Sequence, residues 1–304
     1  MIYDTKFFIE RKVGMLSKKS WRLLLLSRIP FLTRKRISTI LTIDNELTQL
    51  FNWTEGDWTE ILMLENEKAK VIRERIENKE FRRKLYLETQ QYPFTTIFEN
   101  TYPSSLRNIP DPPLVLYYLG NPSLFQIQPT LSVVGTRYPS DEASTVMKKI
   151  LTPIVKRKWC LVSGMAKGVD SMAHELAIEE QSSTIAILGS GFNHIYPQES
   201  SSLFQRMVKE HLVISEYPPN TKPQKFHFPE RNRIISGLGF ATLVIEAKHK
   251  SGTMITVDQA LEQGKEVLAV PGSVLAKTSE GCHQLIKEGA KIVTSSDDIL
   301  TEWQ

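Results

Sequence analysis

Cysteine is scarce in this chain. The 304 residues contain two, Cys160 in a predicted strand and Cys282 in a predicted helix. Two thiols so far apart in the sequence do not make the disulfide framework of a secreted protein. We therefore interpret both as buried, unreactive side chains and expect a cytoplasmic protein, because the cytoplasm keeps thiols reduced.

Long apolar runs are missing as well. The run Leu23–Leu26 is flanked by Arg22 and Arg28. A helix that crosses a bilayer needs roughly 20 predominantly apolar residues, and a secretory signal needs a small-residue cleavage site, which this segment lacks. We expect neither membrane insertion nor a secretory signal.

Metal-binding and catalytic patterns are also absent from the sequence. The six histidines are scattered, without cysteine or carboxylate neighbours at the spacing of metal ligands, and no serine lies in a G-x-S-x-G elbow. Glu216 and Glu246 follow predicted strands, where an acid pair or, more simply, a salt bridge or helix cap accounts for them. We predict no catalytic residue, no metal and no cofactor, and hence a protein that is not an enzyme.

Positive charge is concentrated at the N-terminus. The net charge is +4, and residues 1–36 hold ten Lys/Arg against Asp4 and Glu10, a local +8, so that the remainder sums to −4. Any contact of the larger part of the chain with nucleic acid must therefore come from a local patch. Residues 1–20 form a basic leader, which is either an arm with non-specific phosphate affinity or a disordered tail.

The hydrophobic pattern divides the rest of the chain in two. Over residues 21–91 apolar residues recur at three- and four-residue spacing, as at Ile37, Ile40 and Leu41, which predicts a small helical N-terminal domain. From residue 92 to 304, turn-forming residues give way to short apolar runs that alternate with helical segments. This alternation is typical of a parallel sheet covered on both faces. We predict an α/β fold with a Rossmann-like, doubly wound, mostly parallel sheet over 92–304.

The predicted elements of this second domain can be placed by residue number. The strands are expected at 114–119, 131–134, 159–162, 185–188, 212–214, 243–245, 267–270 and 292–293. The helices are expected at 144–157, 171–180, 198–209, 253–263 and 280–288.

Glycine and small hydroxyl residues follow several of these strands. They are Gly135-Thr136, Ser163-Gly164 with Gly168, Gly189-Ser190-Gly191, and Ser251-Gly252. Ligands of doubly wound folds bind at the carboxyl ends of the strands, and glycine lets backbone N–H groups approach an anion. One such turn is ordinary helix-entry chemistry, but four on one edge predict a phosphate-binding surface.

The common nucleotide-binding loops do not match these turns. In the first of these turns, Gly135 is followed by Thr136 and then by Arg137, which stands where the fingerprint G-x-G-x-x-G needs its second glycine. In the second turn, Gly164 and Gly168 are one residue too close together for a P-loop. Arg137 is instead placed to hold a phosphate with its two-pronged guanidinium. Asp170 is predicted to be the N-cap of its helix.

The segment 218–239, PPNTKPQKFHFPERNRIISGLG, mixes cations with aromatic rings. Its cations include Lys222, Lys225, Arg231 and Arg233, and its rings include those of Phe226 and Phe228. This combination is typical of single-strand binders, in which cations contact the backbone and rings stack on bases. Pro229 is predicted to open a helix that runs to about Leu238. An ordinary basic surface loop anchored by two phenylalanines is the other interpretation.

These segments, in this order, resemble the bacterial DNA processing protein A (DprA/Smf) family. The matching stretches are YPSSLRNIPDPPLVLYYLGN at 102–121, VVGTR at 133–137, SGMAKGVDSMAH at 163–174, LGSGFNHIYP at 188–197, SEYPPNTKPQKFHFPERNRIISGL at 215–238 and EAKHKSGTMITVDQALEQGKEVLAVPG at 246–272. They lie within residues 100–293, about two thirds of the chain. His283-Gln284-Leu285-Ile286 departs from the usual Asn-x-Leu-Ile, and Gly189-Ser190-Gly191 departs from the usual Gly-Cys-Gly.

The resemblance implies a function and a set of site residues. It implies a protein that binds and protects incoming single-stranded DNA, forms homodimers through the Rossmann-like domain, and loads the RecA recombinase during natural transformation. Carried onto this sequence, the DNA-binding residues are Gly135, Thr136, Arg137, Ser163, Gly164, Lys167, Gly168, Lys222, Lys225, Phe228, Arg231, Asn232, Arg233, Lys248, Ser251 and Gly252.

Two other functions are compatible with the fold. A Rossmann-fold nucleoside-monophosphate glycosidic hydrolase would use Glu246 as its base, but the stretch P-G-G-x-G-T-x-x-E of that group is absent, and a small-nucleotide pocket does not need the cations at 222–233. A protein-interaction scaffold would use the same basic segment to bind an acidic partner. Because the segment combines cations with aromatic rings, we favour DNA binding.

Overall fold

The structure, a computed structural model, describes residues 17–303, and these fall into two compact units. The first comprises residues 17–91 with Thr95–Asn100, and the second comprises Tyr92–Phe94 with residues 101–303. Most of the predicted leader, residues 1–16, lies outside the described residues, and residues 18–20 open the first helix.

Helices make up the described part of the first unit. They are α1 (Lys18–Ser27), α2 (Arg34–Ile43), α3 (Glu55–Leu62), α4 (Asn66–Glu77) and α5 (Lys79–Gln91), with a 3₁₀ turn at Gln49–Asn52. Side-chain hydroxyls of Ser17, Thr33 and Thr54 cap the first three helices. Thr54 and Asp57 form a reciprocal capping box, so this polar stretch begins α3.

The apolar residues of this unit form its core. The helical spacing places them on the inward faces of the helices, where they are removed from water. The most deeply buried are Leu23, Leu24, Leu25, Leu26, Ile37, Ile40, Leu47, Leu50, Trp58 and Ile72.

A mostly parallel sheet forms the framework of the second unit. Its strands are β1 (Phe94–Thr96), β2 (Val115–Gly120), β3 (Thr130–Val134), β4 (Cys160–Ser163), β5 (Thr184–Leu188), β6 (Leu212–Ser215), β7 (Ala241–Val244), β8 (Glu266–Ala269) and β9 (Lys291–Ile292), and β1 begins in this unit. The order across the sheet is β1-β2-β6-β5-β4-β3-β7-β8-β9. In this order, the seven strands β6, β5, β4, β3, β7, β8 and β9 pair with one another in parallel. Strand β2 pairs with β6 in the antiparallel direction.

Helices connect these strands and cover both faces of the sheet. They are α6 (Ser104–Arg107), α7 (Ala143–Lys156), α8 (Val169–Glu179), α9 (Ser201–Glu210), α10 (His227–Leu238), α11 (Gly252–Glu262), α12 (Glu280–Lys287) and α13 (Ser296–Glu302). Leu131 and Val133 of β3 pack into one core with α7, α8 and α13. Ser132 between them points to the opposite face, because side chains alternate along a strand, and its Oγ donates to the carbonyl of Ile235 in α10.

The doubly wound, mostly parallel fold predicted from the sequence is confirmed. Each of the eight predicted strands overlaps an observed one, and the additional strand, β1, is three residues long. The order of the strands reverses at β3, which lies between β4 and β7. Such a reversal opens a crevice at the carboxyl ends of the strands, and this crevice is where doubly wound folds bind ligands.

Both cysteines are buried, as the sequence predicts. Cys160 and Cys282 are buried free thiols in β4 and α12, and burial raises the pKa of both, that of Cys282 to about 12. Within residues 17–303 no helix has the length and hydropathy that a membrane span needs.

Candidate functional site

A cleft of about 620 Å³ lies where the strand order reverses. Its walls come from the loop after β3, the first turns of α10, the residues between β7 and α11, and the start of α11. Ten of the residues proposed from the sequence line it, namely Gly135, Thr136, Arg137, Lys225, Phe228, Arg231, Asn232, Lys248, Ser251 and Gly252.

The loop after β3 is held by a backbone hydrogen bond to the segment after β7 and by a hydrogen bond within the loop. Thr136 donates its N–H to the carbonyl of Glu246 at 2.7 Å, and its hydroxyl accepts from the N–H of Tyr138 at 3.2 Å. A Cβ atom on Gly135 would lie 2.7 Å from Cγ2 of Val169, so this position requires glycine. The loop presents Arg137, which is exposed and has no ion-pair partner within the described part of the chain.

A buried arginine forms part of the cleft floor. Arg231 of α10 is 5% exposed, donates from Nη1 to the carbonyl of Ile187 at 2.7 Å, and has no hydrogen-bond partner for Nε. Its guanidinium lies against Gly164, where any Cβ atom would overlap it. The Gly164 N–H is donated to Asp170 at 3.2 Å. Burial raises the pKa of Asp170, and the nearby charge of Arg231 opposes that rise.

The prediction that Asp170 caps its helix is wrong. Helix α8 begins at Val169, and its N-cap is Gly168, which has φ of +85°. A Cβ atom on Gly168 would lie 2.8 Å from the carbonyl carbon of Arg137, so the left-handed backbone and the close approach both require glycine. Asp170 instead lies inside the cleft wall, where it balances the charge of Arg231.

Arg233, a predicted site residue, lies outside the walls of the larger cleft. Its side chain is 6% exposed and donates from Nη2 to both carboxylate oxygens of Glu216, at 2.8 and 2.9 Å, and from Nε to Asp111 at 3.0 Å. A guanidinium held in this way ties α10 to the end of β6 and does not reach the cleft. Glu216 is therefore one half of a salt bridge, the simpler of the two interpretations of this residue.

Ser163 and Gly164 are likewise structural. Ser163 is fully buried and its hydroxyl donates to the carbonyl of Val133 at 2.7 Å. Gly164 is covered by Arg231 and its N–H is already donated. The Gly164 N–H is therefore engaged within the fold.

Three further predicted residues lie beside the cleft. Lys167 and Gly168 line a second, smaller cleft of about 240 Å³. Lys222 is exposed in the segment that leads into α10, outside the walls of the larger cleft.

The start of α11 contributes partial positive charge. Its N-cap, Ser251, makes no side-chain capping bond, and a Cβ atom on Gly252 would meet nothing within 4 Å. Asn232 of α10 reaches the carbonyl of Gly252 at 3.4 Å, which joins the two helices at the cleft. The positive end of the helix dipole of α11 therefore faces the cleft.

Sequence reasoning missed two aromatic residues in the walls. Tyr138 is 69% exposed, and Tyr196 is 48% exposed with its ring 5.5 Å from that of Phe228. The signal for both was local, since Tyr138 directly follows Arg137 and Tyr196 lies within the matched stretch 188–197. The walls further include Ala166, Pro229, Ile235, Thr253, Ile255 and Thr256.

The charge in the cleft is strongly one-sided. Four cationic side chains line it, Arg137, Lys225, Arg231 and Lys248, and Asp170 is the one carboxylate of the described residues that does so. Exposed cations next to exposed aromatic rings can hold phosphates and stack on bases at the same time.

The features that an enzyme would need do not converge on this cleft. Glu246, the base in the hydrolase alternative, accepts hydrogen bonds from the N–H and the hydroxyl of Ser140 and is not part of the cleft wall. In the described part of the chain, no three His, Cys, Asp or Glu side chains come together in a possible metal site.

Comparison with known proteins identifies similar sequences. The sequence model of the family "DNA recombination-mediator protein A" matches residues 93–304. DNA processing protein DprA of Streptococcus pneumoniae is 43% identical over 217 residues, which cover 71% of this chain and 76% of that protein. DNA processing protein DprA of Bacillus subtilis is 45% identical over 206 residues, which cover 68% of this chain and 69% of that protein.

Solved structures resemble the fold. The X-ray structure of DNA processing protein A from S. pneumoniae matches with a TM-score of 0.82 at 37% identity and covers 94% of this chain and 99% of that one. DNA processing protein A from Helicobacter pylori, whose structure was studied for its single-stranded DNA binding mode, matches with a TM-score of 0.63 at 26% identity, covering 70% and 96%.

Proposed function

The chain belongs to the DNA recombination-mediator protein A family, and on this basis we propose that it binds single-stranded DNA in the larger cleft and does not act as an enzyme. The observation that carries the proposal is the composition of the cleft wall. Four cations, one buried carboxylate and the rings of Tyr138, Tyr196 and Phe228 face one space. This is the set of groups with which proteins hold a flexible, negatively charged strand of stacked bases.

The exposed cations are assigned to the phosphates. Arg137, Lys225 and Lys248 are exposed at the cleft, and Arg137 can donate to two phosphate oxygens at once. Arg231 adds a positive field from below, and the start of α11 adds its dipole. Such contacts fix the strand without reading its sequence.

The aromatic rings are assigned to the bases. Tyr196 and Phe228 form a tilted pair on one wall, and Tyr138 stands on the loop after β3. Stacking contributes roughly 1–3 kcal/mol per base and tolerates any sequence. A duplex keeps its bases inside the helix, so rings in a cleft favour the single strand.

Fluorescence anisotropy with a labelled oligo-dT strand, beside a duplex control, tests the proposal. Arg137→Ala and Lys225→Ala should each weaken binding by about tenfold or more, because a hydrogen bond to a charged group contributes about 1.5–3 kcal/mol. Lys209→Ala is the matched control, since Lys209 is an exposed lysine of α9 that lies outside the cleft wall.

Salt and sequence provide the decisive readouts. Binding should fall as salt rises, and Arg137→Ala should flatten that dependence because fewer counterions are released. The loss should be equal for oligo-dT and for mixed sequences. A folded wild-type protein that binds no strand, or a loss that depends on sequence, would contradict the proposal.

The family resemblance extends the proposal to partners and location. We propose a cytoplasmic homodimer, formed through the second unit, that protects incoming strands and passes them to RecA during natural transformation. Sedimentation would test the dimer, and RecA-dependent strand exchange with and without the protein would test loading. A monomer at all concentrations, or unchanged strand exchange, would contradict the respective part.

A further inference from the structure

A second cleft, of about 240 Å³, lies beside the first and shares none of its lining residues. It is bounded by the start of α8, by the 3₁₀ turn Gln198–Ser200 and by α9. Lys167 and Ser171 stand on one side, and Ser202 and Arg206 stand on the other. Ser202 and Arg206 are four residues apart and therefore share one face of α9.

One strip of backbone separates the two clefts. The positive φ of Gly168 lets the loop before α8 pack directly on the backbone of Thr136 and Arg137. Above this strip the Lys167 ammonium lies 5.1 Å from the centre of the Tyr138 ring. Tyr138 lines the first cleft and Lys167 lines the second. A polymer that leaves the first cleft over Tyr138 therefore meets Lys167 next.

The cations of the second cleft are available to a ligand. Lys167 and Arg206 are exposed, and within residues 17–303 neither lies in an ion pair with a carboxylate. Glu175 and Glu199 also line the cleft, beyond ion-pair distance of both cations. Two cations outside any ion pair that face one space attract phosphates, and the two carboxylates can accept hydrogen bonds from base N–H groups, including N3–H of thymine.

We propose, on the premise that the first cleft binds single-stranded DNA, that the second cleft is an extension subsite for the same strand. Lys167 and Arg206 contact phosphates of nucleotides beyond those in the first cleft, and a base stacks on Tyr138 where the strand crosses between the clefts. Glu175 and Glu199 repel phosphates, which therefore lie next to Lys167 and Arg206, and the bases face the carboxylates.

The test is a length series. Anisotropy is measured with labelled oligo-dT strands of about 4 to about 20 nucleotides, a range that covers common single-strand site sizes. The proteins are the wild type, the double variant Lys167→Ala/Arg206→Ala, and Lys209→Ala as matched control, because Lys209 is an exposed lysine of α9 outside the second cleft. All substituted side chains are exposed, and circular dichroism checks that each variant is folded.

The expected result depends on strand length. The double variant should bind the longest strands at least about fivefold more weakly and the shortest strands as the wild type does, while Lys209→Ala changes neither. The length at which affinity stops rising should be shorter for the double variant. Equal affinity of wild type and double variant at every length would overturn the extension subsite, and so would an equal loss for short and long strands.

Failure of the proposed function would look different. In that case the wild type would bind no strand of any length and Arg137→Ala would change nothing. A loss of about tenfold or more in Arg137→Ala at every strand length, together with a length-dependent loss in the double variant, supports both sites.

Discussion

Arg231 and Arg233 are two positions apart in α10 and end in different environments. Each residue turns an α-helix by about 100°, so residues two apart point to nearly opposite sides. Arg231 lies under the cleft on the backbone of Gly164, and Arg233 is enclosed by Glu216 and Asp111. The first can act on a ligand through its charge, and the second fixes the helix.

The position of the Arg231 side chain depends on the absence of a side chain at Gly164. We expect Gly164→Ala to lower the free energy of unfolding by about 1–3 kcal/mol, because the new methyl group overlaps the guanidinium and forces a shift. Strand binding should weaken with it, because Arg231 would leave the cleft floor. Urea unfolding followed by anisotropy measures both effects.

Gly252→Ala is the matched control for that substitution. A Cβ atom at Gly252 meets nothing within 4 Å, and the residue opens α11. Stability should stay within about 0.5 kcal/mol of the wild type or rise slightly, since alanine is the better helix former. Equal destabilisation by both substitutions would show that Arg231 does not depend on Gly164.

At the scale of elements, α10 determines the geometry of the cleft. It carries Phe228, Arg231 and Asn232 into the wall. Its last turn is held by β3, since the hydroxyls of Thr130 and Ser132 donate to the carbonyls of Leu238 and Ile235 at 2.6 Å. Hydroxyl groups in a buried strand thus satisfy carbonyls that the end of a helix leaves open.

The salt bridge between Arg233 and Glu216 holds the other side of α10. Arg233→Ala should cost about 3–5 kcal/mol of unfolding free energy, because it breaks an ion pair whose two side chains are only 6% and 10% exposed. Arg137→Ala should change stability by about 0.5 kcal/mol or less, since Arg137 is exposed. Chemical denaturation of both variants compares a buried, ion-paired arginine with an exposed arginine of the cleft wall, and equal stability losses would refute that distinction.

Removing both charges provides a second measurement for the same pair. Arg233→Met/Glu216→Leu should recover much of the stability lost in Arg233→Ala, because apolar side chains replace both members of the ion pair. If the double variant is less stable than Arg233→Ala, Glu216 stabilises the fold through contacts other than its ion pair with Arg233.

The strands and the position of Arg137 in the cleft wall were predictable from the sequence because their signals are local. Buried strands of a parallel sheet need short apolar runs, and the residues that follow them meet at one edge. The roles of Gly164 and Arg233 were not predictable, because a glycine that opens a phosphate loop and a glycine that makes room for an arginine 67 positions later look the same in a sequence. Asp170 was misplaced for the same reason, since its partners Gly164 and Arg231 are assembled by the tertiary fold.

At the scale of the whole molecule, buried histidines should make stability depend on pH. His174 is fully buried between α8 and β5, with Nδ1 2.6 Å from the hydroxyl of Thr184, and burial lowers its pKa from 6.5 to about 3. Burial also lowers the pKa of His211. In the unfolded chain a histidine takes up a proton below about pH 6.5, and the folded His174 does not. Its contribution is thus fully present above that pH and is lost as the pH falls.

The expected slope can be measured. The free energy of unfolding should fall by up to about 1.4 kcal/mol per pH unit for His174 alone between about pH 6 and pH 4. His174→Gln should reduce the slope, with the exposed His249→Gln as matched control. NMR of the wild type provides an independent check, because the His174 ring should not titrate above about pH 5. Titration of that ring near pH 6.5 would contradict the assignment.

Along the sequence, Tyr92–Phe94 of the second unit comes before Thr95–Asn100 of the first unit. This interleaving affects the order in which the parts of each unit are synthesised. The buried hydroxyl of Ser20 in α1 shares a hydrogen bond of 2.7 Å with Thr96, and the N–H of Ser17 donates to Glu99 at 3.2 Å. A nascent chain leaves the ribosome N-terminus first, at about 5–20 residues per second. The helices of the first unit therefore emerge before their partners at 95–100, and Tyr92–Phe94 of the second unit emerges between them. Ser20 stays without its Thr96 partner until the second unit has begun to appear, so the first unit cannot be completed before the synthesis of the second has started.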